Sequence, residues 1–358
     1  MLKILFISTS VGSLGSGQGG GVELTVQNVA QELSKRGHQI EVVAPEGSWL
    51  KGVRVITVSG NLQVPVQTQS RDVPICLPDN AVLANMWDYA RQVQHKYDLL
   101  VNFAFDWLPF YITPFFDIIV AHFISMGSMT TASDRIMSQI IDRYPGTFGV
   151  YTKAQAKTFD FGDRCKILGS AIDLDLYNFN NVPESYIAWL GRIAPEKALE
   201  DAVAAVNITR TPLKIFGKIQ NDDYWQQICR DFPNAPIEYC GFLNTKELQK
   251  ELGKCRALLM TPRWIEAFGN VAIEALACGV PVIAYRRGGP AEIVNHGKTG
   301  FLVEPDSIDG LVEAIGKIDS LDRLTCRRQA EAEYSLSALG DRFEGWFKKL
   351  VSNNNSQS

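Results

Sequence analysis

Short apolar runs and segments of helical period follow one another along almost the whole chain. The run at residues 3–8 precedes a segment, 22–36, that sets Val22, Val26, Val29, Ala30 and Leu33 on one face and is closed by Gly37. A second run at 39–44 follows at once, and further runs lie at 99–103, 118–122 and 148–151. Apolar faces at a period of 3.6 residues, set between short β-rich runs, predict helices covering a parallel, doubly wound sheet. The pattern breaks at 173–184, a polar stretch rich in Asn and Asp, and then restarts. Strands are expected at 186–191, 213–217, 237–241, 257–261, 280–285 and 300–303, with helices between them, the first from Leu199. The prediction is two Rossmann-like lobes: an acceptor-side lobe over 1–172, a donor-side lobe over 173–335, and a closing segment over 336–358 whose helix returns to the first lobe. Open α/β sheets bind ligands at the carboxyl ends of their strands, so a cleft between two such lobes is the expected site.

Length and composition agree with this and narrow the function. A chain of 358 residues suits two domains, and 46% hydrophobic with 21% charged residues is the balance of a folded globular protein. A net charge of -4 argues against a nucleic-acid partner, which needs a surface that neutralises phosphates. Seven scattered cysteines with no Cys-x-x-Cys pair suggest neither a disulfide framework nor a zinc site, and read as reduced, mostly buried thiols of a cytoplasmic protein. The opening apolar run is too short for a signal peptide, and no run reaches the roughly 18 residues of a membrane span. Residues 352–358 read as a disordered tail.

The segment from Trp264 to Glu274 carries the chemistry. It follows a predicted strand, enters a helix at Gly269 and Asn270, and holds Glu266 and Glu274 eight residues apart. Eight helical steps rise about 12 Å, wider than the roughly 5 to 9.5 Å between paired carboxyls of a glycoside hydrolase. Two grips on one elongated ligand fit better than an acid and a base. A nucleotide sugar has hydroxyls at both ends, and backbone N–H groups from Phe268 onward suit anions or sugar hydroxyls. Taken alone, the two glutamates also fit a loop cap and a solvated helix residue.

Two further loops add to this. Gly191-Arg192-Ile193-Ala194-Pro195-Glu196-Lys197 follows the first strand of the second lobe, where Arg192 and Lys197 can hold one pyrophosphate without a metal. In isolation, two such basic residues are also common surface charges. Gly15, Gly17 and Gly20 spell G-x-G-x-x-G, but the loop from Thr9 to Gly21 is too long for a dinucleotide turn. It reads instead as a glycine loop that brings the Gly20 and Gly21 amides towards a phosphate or sugar.

Together, Gly20-Gly21-Val22, Gly191-Arg192 with Glu196-Lys197, Glu266-x7-Glu274 and Gly288-Gly289-Pro290-Ala291-Glu292 resemble glycosyltransferase family 4 with its GT-B fold. The resemblance implies retaining, metal-independent transfer of a hexose from a nucleotide diphosphate sugar, with no bound cofactor. It implies that Glu266 holds the donor sugar with the amides of Phe268, Gly269 and Asn270, and that Glu274 holds the ribose. Arg192 and Lys197 would take the pyrophosphate, His122 would meet the sugar from the first lobe, and Gly217 and Leu243 would border the base. On its own residues, His122 equally fits a hydrogen-bonded core histidine.

The segments Leu14-Gly15-Ser16-Gly17, Asn102-Phe103-Ala104-Phe105-Asp106-Trp107-Leu108-Pro109 and Ile124-Ser125-Met126-Gly127-Ser128 are similar to the UDP-glucose:tetrahydrobiopterin glucosyltransferases. This implies UDP-glucose as donor and a reduced pterin as acceptor. Seven aromatic residues crowd positions 103–116. Most suit core packing, while Asp106 and Trp107, with Phe103, are the candidates to meet a flat acceptor. The helix at 133–143 balances Asp134 and Asp142 against Arg135 and Arg143, unlike a basic membrane-docking helix, so a soluble acceptor is expected. Asp173-Leu174-Asp175 spells a metal-binding D-x-D outside that motif's context, and Asp160-Phe161-Gly162 lacks a kinase catalytic loop. A nucleotide-sugar sensor without catalysis and, last, an NAD-linked oxidoreductase are the competing classes. Oligomeric state is not legible.

Overall fold

A computed structural model describes residues 1–16, 20–66 and 69–355. The chain divides into two compact units, Met1–Ser170 with the segment from Leu336 onward, and Ala171–Ser335. The division thus falls two residues before the predicted boundary, and the polar stretch 173–184 folds onto the second unit. There the Asn178 amide donates to Gln249 Oε1 at 3.1 Å and Tyr177 is buried.

The first unit contains β1 (Lys3–Ile7), β2 (Gln39–Pro45), β3 (Arg54–Val58), β4 (Leu99–Asn102), β5 (Val120–Ile124), β6 (Phe148–Val150) and β7 (Lys166–Ile167). They form one parallel sheet in the order β3-β2-β1-β4-β5-β6-β7. Periodicity missed β3 and β7, an edge pair: β3 is only partly buried along its length, and β7 has two residues. In β1 every residue after Lys3 is buried, as a strand covered on both faces requires.

The helix Gly21–Lys35 buries Val26, Val29, Ala30 and Leu33, the face read from the sequence. The last helix, Leu336–Asn355, groups with this unit and buries Leu339, Phe343, Phe347 and Leu350, with Phe347 6.2 Å from Phe6 and Phe343 5.4 Å from Phe123 by ring centroids. Arg36 ties it down through Asp341 and Glu344 at 2.7 and 2.9 Å. The helix also corrects the expected disordered tail, because it runs through Ser352 to Asn355, while 356–358 lie outside the described residues.

The second unit contains β8 (Ile187–Leu190), β9 (Leu213–Phe216), β10 (Ile237–Gly241), β11 (Leu258–Met260), β12 (Val282–Tyr285) and β13 (Gly300–Val303), parallel in the order β10-β9-β8-β11-β12-β13. Its core joins these strands to the helices Leu199–Thr209 and Ile308–Lys317 through Trp189, Val203, Val206, Ile283, Leu311 and Ile315. Each sheet reverses its direction of winding once, between β1 and β4 in the first unit and between β8 and β11 in the second. Such switch points splay the loops after the two strands apart and leave a crevice at their carboxyl ends.

Cys255, Cys278 and Cys326 are buried thiols, but Cys76 and Cys229 are exposed, so burial of most cysteines does not hold. Among the described residues no helix is long and apolar enough to cross a membrane.

Candidate functional sites

At the switch point of the second unit, the loop after β8 meets the loop after β11. Lys197 Nζ lies 2.5 Å from Glu266 Oε2, and Trp264 Nε1 donates to the same oxygen at 2.9 Å. The ammonium also stands 5.0 Å from the centre of the Trp264 ring. Arg192 is half-exposed, donating to Gln220 and to Glu196 Oε1 at 3.1 Å.

Hydrogen bonds beneath the loops fix this pair. Ala198 takes a left-handed φ of 46°, which turns the chain sharply after Lys197, and Thr261 Oγ1 donates to the carbonyls of Lys197 and Ala198 at 3.1 and 2.8 Å. The Arg263 amide donates to the Glu196 carbonyl at 2.9 Å, and its guanidinium reaches Glu200 and, at 2.9 Å, Asp201. Asp201 is buried and also accepts from Tyr285 at 2.8 Å; burial pushes its carboxyl up. From the other side Arg287 donates to the Pro262 carbonyl at 3.0 Å while paired with Asp306.

The loop after β12 closes against Glu266. Gly289 N donates to the Glu266 carbonyl at 2.7 Å, and a Cβ at Gly289 would stand 2.0 Å from the Phe268 carbonyl oxygen, so only glycine fits. Gly217, after β9, has φ 137°, and a Cβ there would lie 1.8 Å from the Gly191 carbonyl oxygen. Leu243 is half-buried two residues past Gly241, whose carbonyl accepts from Gly217 N at 2.8 Å.

Of the predicted helix, only Asn270–Ala277 forms, after a left-handed Gly269. Phe268 is buried beside Tyr334, their ring centres 6.0 Å apart. Asn270 Oδ1 is buried without a hydrogen-bond donor. Glu274 is partly buried, accepts a hydrogen bond from Tyr177, and has its carboxyl raised to about 7 by desolvation. Tyr177 lies 97 positions away in the polar stretch at 173–184, so no local signal pointed to it.

The first unit has its own cavity, of about 330 Å³, at its switch point. Thr9, Ser10 and Val11 after β1, Phe105 to Trp107 after β4, and Ser125 and Met126 after β5 line it, and residues from the 62–78 segment complete it. Asp106 caps the helix Trp107–Ile112 by accepting from Leu108 N at 3.3 Å, and Gln63 Nε2 donates to its other oxygen at 2.8 Å. Burial raises the Asp106 carboxyl. Trp107 stacks on Tyr111, centroids 4.5 Å apart. Gly20 and Gly21 are exposed at the start of the helix Gly21–Lys35, with Gly20 at φ 61°; Gly17 lies outside the described residues.

Two expected contacts are corrected. His122 sits in the middle of β5 rather than after a strand and has no solvent exposure. Its ring nitrogens lie 3.3 Å from Asn102 Nδ2 and 3.0 Å from Thr113 Oγ1, Phe110 and Phe148 pack on the ring, and burial lowers its pKa to about 3. A neutral imidazole enclosed in this way cannot meet a donor sugar. Phe103 is likewise wholly buried between Phe6 and Phe123 and meets no acceptor.

Residues 178–335 match the family model for glycosyl transferases group 1, and residues 19–125 match that for Glycosyltransferase Family 4. A sucrose synthase of Solanum tuberosum is 44% identical over 59 residues, 16% of this chain and 7% of that protein. A glycogen synthase of Mycobacterium tuberculosis is 32% identical over 152 residues, 41% of this chain and 36% of that protein. The chain therefore aligns with well under half the length of these curated relatives. Anabaena HepE, solved in complex with UDP and glucose, superposes with a TM-score of 0.74 over 98% of this chain and 100% of its own at 16% identity, a likeness of fold.

Proposed function

We propose that this chain, whose two family matches and fold support a GT-B glycosyltransferase family, is a retaining, metal-independent hexosyltransferase. In this reading it moves glucose from UDP-glucose to a small soluble acceptor, a reduced pterin such as tetrahydrobiopterin. The observation that carries it is the Lys197–Glu266 pair at the switch point of the second sheet, with Arg192 on the same loop.

The chemistry follows from exchange of partners. A donor sugar hydroxyl donates to Glu266, the pyrophosphate takes the ammonium of Lys197, and Arg192 trades Gln220 and Glu196 for phosphate oxygens. Charge held ready where negative charge develops stabilises the departing diphosphate as the acceptor oxygen replaces it on the same face of the anomeric carbon, the acceptor's hydroxyl proton passing to the diphosphate oxygen that leaves. The unpaired Asn270 Oδ1 offers an acceptor to a second sugar hydroxyl, and ionised Glu274 accepts from the ribose. The binding of UDP and glucose by HepE supports the choice of donor. The cavity beside Trp107 suits a flat acceptor.

Incubation with radiolabelled UDP-glucose and a panel of reduced pterins and simple phenols, followed by mass spectrometry and proton NMR of the product, tests each part. An α-linked pterin glucoside formed equally with and without EDTA is expected. A β-linkage would reject retention, loss of turnover with EDTA would reject metal independence, and glucosylation of phenols alone would reject the pterin. A donor that is bound and never consumed would leave a sensor.

A further inference from the structure

The cavity of the first unit contains one carboxylate, Asp106, and no lysine, arginine or histidine among its described lining residues. The rest of its lining is uncharged: apolar at Val11, Leu62, Ile75 and Met126, hydroxyl-bearing at Ser10 and Ser125, with the amides of Gln63 and Gln69 and the thiol of Cys76. A ligand entering it gives up water on both ring faces and finds no cation to answer a negative charge.

A neighbouring groove shares Val73 and Trp107 with the cavity and carries Arg71 and Arg135. Arg71 is already committed to Ser128 Oγ and Asp134 Oδ2, each at 2.9 Å.

Asp106 has capacity left. It accepts from Gln63 Nε2 and from the Leu108 and Trp107 amides, while a carboxylate offers about four lone-pair sites. Because burial already disfavours its charge, an added N–H donor is worth more there than in water. Two parallel N–H groups on one edge of a planar ring, as in a cyclic amidine, match a carboxylate bidentately.

We propose that this cavity selects an uncharged, flat heterocycle that lays adjacent N–H donors on Asp106, and that it rejects the same ring bearing an acidic group. This rests on the reading of the cavity as the acceptor site.

Calorimetric titration of the full chain at pH 7 with three planar probes tests it: pterin, pterin-6-carboxylate and 1,3-dimethyllumazine, which keeps the ring but lacks the N–H edge. Pterin is expected to bind at least about tenfold more tightly than either of the others, the scale of one hydrogen bond to a charged group. Asp106→Asn keeps a capping side chain and should bring pterin to within roughly threefold of 1,3-dimethyllumazine, its folding checked by circular dichroism. Equal affinities of the wild-type chain for pterin and its carboxylate would overturn the proposal, as would an unchanged preference for pterin over 1,3-dimethyllumazine in a folded Asp106→Asn variant. Binding of none of the three would overturn it too. Transfer of glucose from UDP-glucose to some other acceptor would then show that the glycosyltransferase reading stands without it.

Discussion

The two units are built on the same plan, a parallel sheet with one switch point and loops gathered at its carboxyl ends, yet they fill that place with opposite chemistry. In the second unit the crevice between β8 and β11 is dense in charge, with Lys197 held on Glu266 and Arg192 on Glu196, over a layer in which buried Asp201 and half-exposed Arg263 hold the loops. In the first, the crevice between β1 and β4 mixes apolar walls with hydroxyls and amides and holds Asp106 as its one charged side chain among the described lining residues. The contrast teaches that a switch point supplies a place and the loops supply the substrate. A charged diphosphate needs preorganised cations, whereas a flat neutral ring needs apolar walls and a hydrogen-bonding edge.

The comparison breaks first at the charge pair. Lys197→Ala and Glu266→Ala are expected to lower turnover at least about 100-fold, as deletion of a preorganised charge does, with circular dichroism unchanged. Near-normal turnover in either variant would remove the second unit's claim to the chemistry. Beneath the pair, Asp201→Ala leaves Arg263 and Tyr285 without their shared buried acceptor. It should cost about 1 to 3 kcal/mol in chemical denaturation, the scale of a buried hydroxyl left without its acceptor, the half-exposed Arg263 pair adding little, and should lower turnover as the loops of Lys197 and Glu266 lose register. A stability equal to wild type would show that the buried layer does not hold the site.

A smaller effect concerns Glu274. Its folded carboxyl titrates near 7, above the ordinary 4.5, so the folded state binds the extra proton and stability falls as pH rises from about 4.5 to 7. Ribose hydroxyls donate to the ionised form, so affinity for UDP should rise with pH, by roughly tenfold between pH 6 and 8 if only the carboxylate binds. Glu274→Gln should flatten that profile, and a wild-type affinity indifferent to pH would reject the ribose contact. The least change is expected at His122. His122→Ala should lower the melting temperature while leaving the KM for UDP-glucose unaltered, because the ring is sealed in the first core. A raised KM with unchanged stability would return it to the site.

Much of this was legible in the chain itself. Runs such as Lys3–Ile7 and the apolar face of Gly21–Lys35 encode strand and helix through local period, and the loop after each strand follows in order. For that reason Arg192, Lys197 and Glu266, each placed after a strand of the second sheet, are legible in the sequence as neighbours, and Lys197 and Glu266 do meet. Trp264 lay inside the same segment and was passed over, because an indole that donates to a carboxylate looks in sequence like one that packs.

What only the tertiary structure decided is which distant groups meet and which side chains reach a surface. Tyr177 on Glu274 and Arg263 on Asp201 join residues whose neighbours in sequence say nothing of one another. His122 lies inside β5, which is buried along its whole length, and Phe103 packs between Phe6 and Phe123, because a parallel sheet is covered on both faces. Local period fixes an element and its buried face because burial repeats with the backbone. The partner across a loop, and the solvent left at a given atom, depend on how several elements pack at once.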